Sequence, residues 1–158
     1  MTKVLFVCLG NICRSPMAEF LFKDMVKKRG LQDEFYIESA ATSNEEEGST
    51  VYYKAKEKLA EIGISTCGKT ARKLTQNDYG KFDYILGMEQ RNIKNIIEIV
   101  GEDKENKVQR LLDFSKNPRD IADPWYTGNF DETYDDIVEG CTALLDNIKK
   151  VENLWKNL

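Results

Sequence analysis

The sequence predicts an α/β fold: a four-stranded parallel sheet, doubly wound, with helices on both faces. Three observations lead there. Apolar runs of strand length alternate with longer stretches whose apolar residues recur at helical spacing. Each helical stretch separates two strand candidates, the pattern of parallel strands joined by crossovers. The first strand passes directly into a tight loop and a helix start, where open α/β sheets place their ligands.

The elements follow in order. Lys3-Val4-Leu5-Phe6-Val7-Cys8 reads as a buried strand. Pro16 suits a first helical turn, where its missing N–H is not needed. Met17, Phe20, Leu21, Met25 and Val26 then recur at helical spacing until Gly30. Phe35-Tyr36-Ile37-Glu38-Ser39-Ala40 is a second strand, and residues 49–62 form a helix with Tyr52, Ala55, Leu59 and Ile62 on one side. Residues 83–88 make a third strand, followed by a helix marked by Ile93, Ile96, Ile97 and Val100. Residues 107–113 make the fourth strand. Beyond an irregular stretch around Pro118 and Pro124, a long helix spans 131–151, with Ile137, Leu144, Leu145 and Ile148 as its apolar stripe. No repeat or linker divides the chain, so a single domain over 1–158 is expected.

Composition narrows the function. The 158 residues carry a net charge of −4, which disfavours non-specific nucleic-acid binding. No apolar run approaches a membrane span, and the N-terminus does not read as a secretory signal, so the expected compartment is the cytoplasm. The four cysteines, Cys8, Cys13, Cys67 and Cys141, do not suggest a disulfide framework in such a chain. Histidine is absent, which excludes imidazole bases and histidine-held metals and leaves proton transfer to carboxylates, thiols, tyrosines, lysines or water.

The informative segment is Val7-Cys8-Leu9-Gly10-Asn11-Ile12-Cys13-Arg14-Ser15-Pro16. Gly10 permits positive φ, and Asn11 tolerates the left-handed region. Leu9, Gly10, Asn11, Ile12, Cys13 and Arg14 can therefore bend around one anion, their N–H groups converging beside the positive end of the following helix. A thiol at that focus loses its proton more readily and gains nucleophilicity. Arg14 supplies a planar fork for two phosphoryl oxygens, and the Ser15 hydroxyl can donate to the Cys8 sulfur. Cysteine plus arginine alone would also fit a structural thiol and a capping guanidinium.

Cys8 through Pro16, with Met17-Ala18-Glu19 after it, closely resembles the low-molecular-weight protein tyrosine phosphatases. Glu38-Ser39-Ala40-Ala41-Thr42, residues 82–86 and Asp123-Pro124-Trp125-Tyr126 resemble further segments of that family, in the same order. The resemblance implies hydrolysis of phosphotyrosine in proteins through a phosphocysteine, with no metal or cofactor. It makes Asp123 the proton donor to the leaving phenol. On its own, Asp-Pro is also an ordinary turn. Trp125 and Tyr126 are expected to shield the Asp123 carboxyl and, with Leu9, to wall the pocket for the phenyl ring. A monomer is the default expectation.

Related readings differ at single positions. Protein arginine phosphatases resemble this chain but typically carry threonine where Ile12 stands, so Ile12 favours the aryl ester. Thioredoxin-coupled arsenate reductases need two further, closely spaced cysteines, which Cys67 and Cys141 do not provide. A phosphate-binding module without turnover is the non-enzyme alternative. The resemblance also supports a Cys8–Cys13 redox switch, although Cys13 could equally be a filler beneath the loop. Cys141 is expected in the core, Lys149-Lys150 at a helix end, and Glu45-Glu46-Glu47 at the pocket mouth. Glu89 stands where an aspartate is common. Many members carry a histidine near residues 66–72 that steadies the loop asparagine; here Ser39 is the expected substitute.

Overall fold

A computed structural model describes residues 1–156; positions 157 and 158, the end of the expected domain, lie outside the described residues. Strands β1 (Thr2–Cys8), β2 (Phe35–Ala41), β3 (Tyr84–Gly87) and β4 (Val108–Arg110) form one parallel sheet in the order β2-β1-β3-β4. The α-helices are α1 (Arg14–Lys28), α2 (Tyr53–Ala60), α3 (Asp78–Lys81), α4 (Gln90–Val100), α5 (Pro124–Thr127) and α6 (Phe130–Lys156). The chain runs outward from β1 to β2 and then crosses back to β3 on the other side of β1. The loop after β1 therefore opens at the point where the winding reverses, beyond the carboxyl ends of the strands.

The period-two alternation of β1 divides the core into two clusters. Val4, Phe6 and Cys8 face one side, packed with residues of α1, α2 and α6 such as Met17, Leu59 and Leu144. Leu5 and Val7 face the other, packed with Leu74, Phe82, Ile85, Ile96 and Val100. Both faces of β1 are buried, which is why its sequence reads as a continuous apolar run rather than an alternating one.

Several boundaries differ from expectation. The helix expected over 49–62 is only α2: Tyr52 is extended (φ −58°, ψ 137°), its N–H donates to Ile12 O at 2.9 Å, and Ile62 is exposed. The strand expected over 107–113 stops at Arg110. Asp113 there accepts from the Arg110 N–H at 3.0 Å, turning Leu111–Phe114 into a single 3-10 turn. The irregular stretch contains α5, whose first residue is Pro124, a placement that costs no hydrogen bond. The last helix is longer than 131–151, so Lys149 sits within it and pairs with Glu34 and Glu152 rather than marking its end. Cys141 is fully buried, as expected.

Gly140 shows how closely α6 packs. A Cβ there would lie 2.5 Å from Leu111 Cγ, inside a side chain that is itself fully buried. Gly140→Ala gains helix propensity of about 1 kcal/mol but forces overpacking that costs about 1–3 kcal/mol. A lower urea midpoint is expected; an unchanged or raised midpoint would show that Leu111 can yield.

Candidate active site

The loop between β1 and α1 wraps around the Cys8 sulfur. Asn11 adopts the left-handed conformation (φ 58°), so the reversal falls on asparagine, while Gly10 does not take positive φ. A Cβ at Gly10 would meet Glu46 and Ile12 at 3.6 and 3.7 Å, ordinary contact distances. Glycine there is thus not demanded by the surrounding protein; it leaves the backbone open on the cavity side.

The Asn11 N–H points at Cys8 Sγ, 3.3 Å away. Its side chain is fully used: Nδ2 donates to Ser15 Oγ at 2.7 Å and to Ser39 Oγ at 2.9 Å, and Oδ1 accepts from the Arg72 N–H at 3.2 Å. This fixes the direction of the next bond. Ser15 Oγ already accepts from Asn11, so its own proton is free for Cys8 Sγ at 3.0 Å, a far shorter approach than the 3.5 Å to Ala40 O. Hydrogen bonds to a charged group contribute about 1.5–3 kcal/mol each, and here two donors are placed on the sulfur. The N–H groups of Gly10, Ile12 and Cys13 meet no acceptor among the described residues. They form the kind of amide concavity that accepts an anion.

Arg14 opens α1 and is buried (2% exposed). Its Nη1 donates to Ile121 O at 2.9 Å and lies 3.1 Å from Glu89 Oε2. Its Nη2 lies 3.4 Å from Asp123 Oδ2. With Nη1 anchored, the Nε and Nη2 edge remains for an incoming oxyanion. Glu89 thus orients the guanidinium from outside the loop.

Asp123 caps α5, its Oδ1 accepting from the Trp125 N–H at 3.0 Å. Trp125 and Tyr126, expected to shield its carboxyl, are themselves 57% and 80% exposed; the carboxyl is 20% exposed and lies against Arg14. The two rings stand up from α5 as walls. Trp125 leans on Tyr52, ring centroids 5.0 Å apart, and Tyr52 stacks on Phe130. Cys8, Leu9, Gly10, Ile12, Cys13, Arg14, Asp123, Trp125 and Tyr126 line one cavity of about 240 Å³, with Ser43, Glu45 and Glu46 completing its rim. Every site residue expected from sequence borders it except Asn11 and Ser15, which lie behind the loop as its supports.

The support extends to residues that sequence reasoning passed over. Ser39 does hold Asn11, and its own proton goes to Glu19 Oε1 at 2.5 Å. Lys69 then bonds Ser39 O at 2.8 Å and pairs with Glu19 at 3.3 Å. Burial draws the Lys69 ammonium below the usual lysine range, with Glu19 opposing that shift. The available sequence signal was the i, i+4 spacing of Ser15, Glu19 and Lys23, which sets Glu19 one turn beyond Ser15 on the same helix face.

Cys13 is buried, and its thiol is pushed up to about 12, first by desolvation and then by the charges of Cys8 and Asp123. All four cysteines are free thiols.

The parallel sheet and this thiol-centred anion loop define a cysteine-based phosphoryl-transfer enzyme. The family model for low molecular weight phosphotyrosine protein phosphatase matches residues 3–154, and the chain belongs to that family. The chain is 40% identical over 156 residues to the low molecular weight protein-tyrosine-phosphatase YfkJ of Bacillus subtilis, covering 98% of this chain and 100% of that one. The crystal structure of YfkJ superposes with a TM-score of 0.92 at 41% identity, covering 95% and 96% of the two chains. PtpA of Staphylococcus aureus, another low molecular weight protein-tyrosine-phosphatase, is 36% identical over 155 residues, 98% of each. A Drosophila arginine phosphatase has the same fold, with a TM-score of 0.84 at 31% identity over 94% and 98% of the chains.

Iodoacetate at pH 7 is expected to alkylate Cys8 and the exposed Cys67 and to spare Cys13 and Cys141. Peptide mapping reads this directly; rapid labelling of Cys13 ahead of Cys8 would reverse their assigned characters.

Proposed function

We propose that this phosphatase hydrolyses phosphotyrosine in proteins, with Cys8 as nucleophile, Arg14 as phosphoryl ligand and Asp123 as general acid and base. The observation that carries the assignment is the placement of Cys8 Sγ. It lies at the floor of a cavity lined by Arg14 and Asp123 and receives hydrogen bonds from Asn11 and Ser15.

The reaction has two steps. In the first, the thiolate attacks phosphorus in line with the leaving phenol. The S–P bond forms as the P–O(aryl) bond breaks, and the Asp123 proton passes to the departing oxygen. The loop N–H groups and the Nε/Nη2 edge of Arg14 hold the three equatorial oxygens. In the second, Asp123 takes a proton from water, the water oxygen bonds to phosphorus, and the Cys8 thiolate leaves with its charge restored. The Ser15 and Asn11 donors serve the sulfur in both steps, since it begins and ends as an anion.

Leu9, Trp125 and Tyr126 line the cavity and would flank the phenyl ring of an aryl ester. The likeness to an arginine phosphatase keeps phosphoarginine as the second reading. Ile12 lines the cavity and offers no hydroxyl to a guanidinium, which favours the tyrosine ester. The reading comprises one phosphatase domain over 1–158, acting as a monomer in the cytoplasm. Four free cysteines agree with a reducing compartment. No helix among the described residues is long and apolar enough to cross a membrane.

Phosphotyrosine, phosphoarginine and phosphoserine peptides offered to the wild type and to Ile12→Thr test the substrate. Phosphotyrosine should be preferred by the wild type, and the variant should gain on phosphoarginine. Preference of the wild type for phosphoarginine would overturn the reading. Cys8→Ser should abolish turnover while retaining phosphate binding. Asp123→Ala should slow poor phenolic leaving groups by about 10²–10⁴ and good ones far less; equal losses across the series would remove Asp123 as the acid.

A further inference from the structure

Ser39 holds the side chain of Asn11, and Ser39 is in turn held at its carbonyl by Lys69 and at its hydroxyl by Glu19, which Lys69 also pairs with. Lys69 Nζ donates to the Ser39 carbonyl at 2.8 Å. The same ammonium lies 3.3 Å from Glu19 Oε1, the oxygen that accepts the Ser39 hydroxyl proton at 2.5 Å. Both charged side chains are largely withdrawn from water, 12% exposed for Lys69 and 5% for Glu19. We propose that Lys69, acting through Glu19 and Ser39, is a positioning residue of the nucleophile loop.

The chemistry requires the polarity that this pair imposes. A serine hydroxyl can donate or accept, and Asn11 Nδ2 needs it to accept. The Glu19 carboxylate only accepts, so it takes the Ser39 proton and leaves the oxygen lone pairs for Asn11. Asn11 Nδ2 then donates to Ser15, whose own proton is directed at Cys8. The order runs Lys69, Glu19, Ser39, Asn11, Ser15, Cys8, each hydrogen bond fixing the sense of the next. A buried carboxylate without a cation is costly to maintain. Unpaired, Glu19 would take up a proton or turn outward to water, and the Ser39 hydroxyl would be released to rotate.

A second lysine supplies an internal comparison. Lys23 Nζ also reaches Glu19, at 2.6 Å, but it lies one turn along α1, is 43% exposed and makes no bond to Ser39. If Glu19 needed only a nearby positive charge, Lys23 would suffice. Lys69 alone bridges Glu19 to the end of β2. It comes from the segment that also presents the Arg72 N–H to Asn11 Oδ1, so both ends of the asparagine amide are governed from residues 69–72.

The inference rests on the reading of Cys8 as nucleophile, and its test has a readout that does not require turnover. Wild type, Lys69→Met, Lys69→Arg and Lys23→Met are compared for the pH profile of Cys8 alkylation by iodoacetate, followed by peptide mapping, and for kcat and KM on an aryl phosphate. Lys69→Met should move the alkylation profile to higher pH and lower kcat about tenfold, the scale of one lost hydrogen bond to a charged group. KM should change much less. Lys69→Arg, which keeps the cation, should recover most of both, and Lys23→Met should match the wild type. A thermal melt on each variant confirms that the folded protein is being titrated. An unchanged alkylation profile in folded Lys69→Met would overturn the inference, as would an equal shift in Lys23→Met. A wild type that alkylates at Cys8 but releases no phosphate would instead defeat the phosphatase reading and leave the alkylation comparison to decide Lys69.

Discussion

The left-handed turn at Asn11 is the constraint on which the site depends. At φ 58° its N–H turns inward to the Cys8 sulfur while its side chain reaches back under the loop to Ser15, Ser39 and the Arg72 backbone. A residue with a Cβ in this region is strained unless its surroundings over-determine it. Four hydrogen bonds from one asparagine, two given and one received by the side chain and one given by the backbone, supply that determination. The N–H groups of Gly10, Ile12 and Cys13, residues that line the cavity, are left without an acceptor among the described residues.

A second set of contacts prepares the arginine. Buried guanidinium is costly unless paired, and Arg14 meets Glu89, Asp123 and the Ile121 carbonyl. The contacts are unequal in consequence. Nη1 is bound to the Ile121 carbonyl and to Glu89, which fixes the plane of the fork. Nη2 pairs with Asp123 at 3.4 Å, a contact that an arriving phosphoryl group would have to replace. The fold places these groups from three separate connections, after β1, β3 and β4, all at the carboxyl ends of the strands.

Much of this was legible in the sequence because it is local. The β1 run, Cys8, the Gly-Asn turn and the Ser-Pro helix start occupy consecutive residues, so their geometry follows from their order. Asp123 before a proline at a helix start was also readable, once the resemblance singled it out from ordinary Asp-Pro turns. What escaped was set by tertiary contacts. α2 begins at Tyr53 because Tyr52 is tied to the nucleophile loop, which no propensity reveals. β4 ends at Arg110 because Asp113 folds back on it. Gly10 and Asn11 were both read as able to take the left-handed turn, and it is Asn11 that makes it. Lys69 and Glu19 lie 50 residues apart in sequence, and only the sheet brings them to Ser39. Ser39 itself was foreseen as a support for Asn11, but not the buried ion pair that orients it.

The central claim is that the β1–α1 loop and Arg14 form a cradle whose focus is an anionic sulfur. A crystal structure with vanadate tests it most directly. The account predicts vanadium bonded to Cys8 Sγ, its equatorial oxygens within hydrogen-bond reach of the loop N–H groups and the Nε/Nη2 edge of Arg14, and Asp123 at the apical oxygen opposite sulfur. Vanadate seated elsewhere, or an Arg14 still turned wholly toward Glu89 and Asp123 with the loop amides unoccupied, would contradict it.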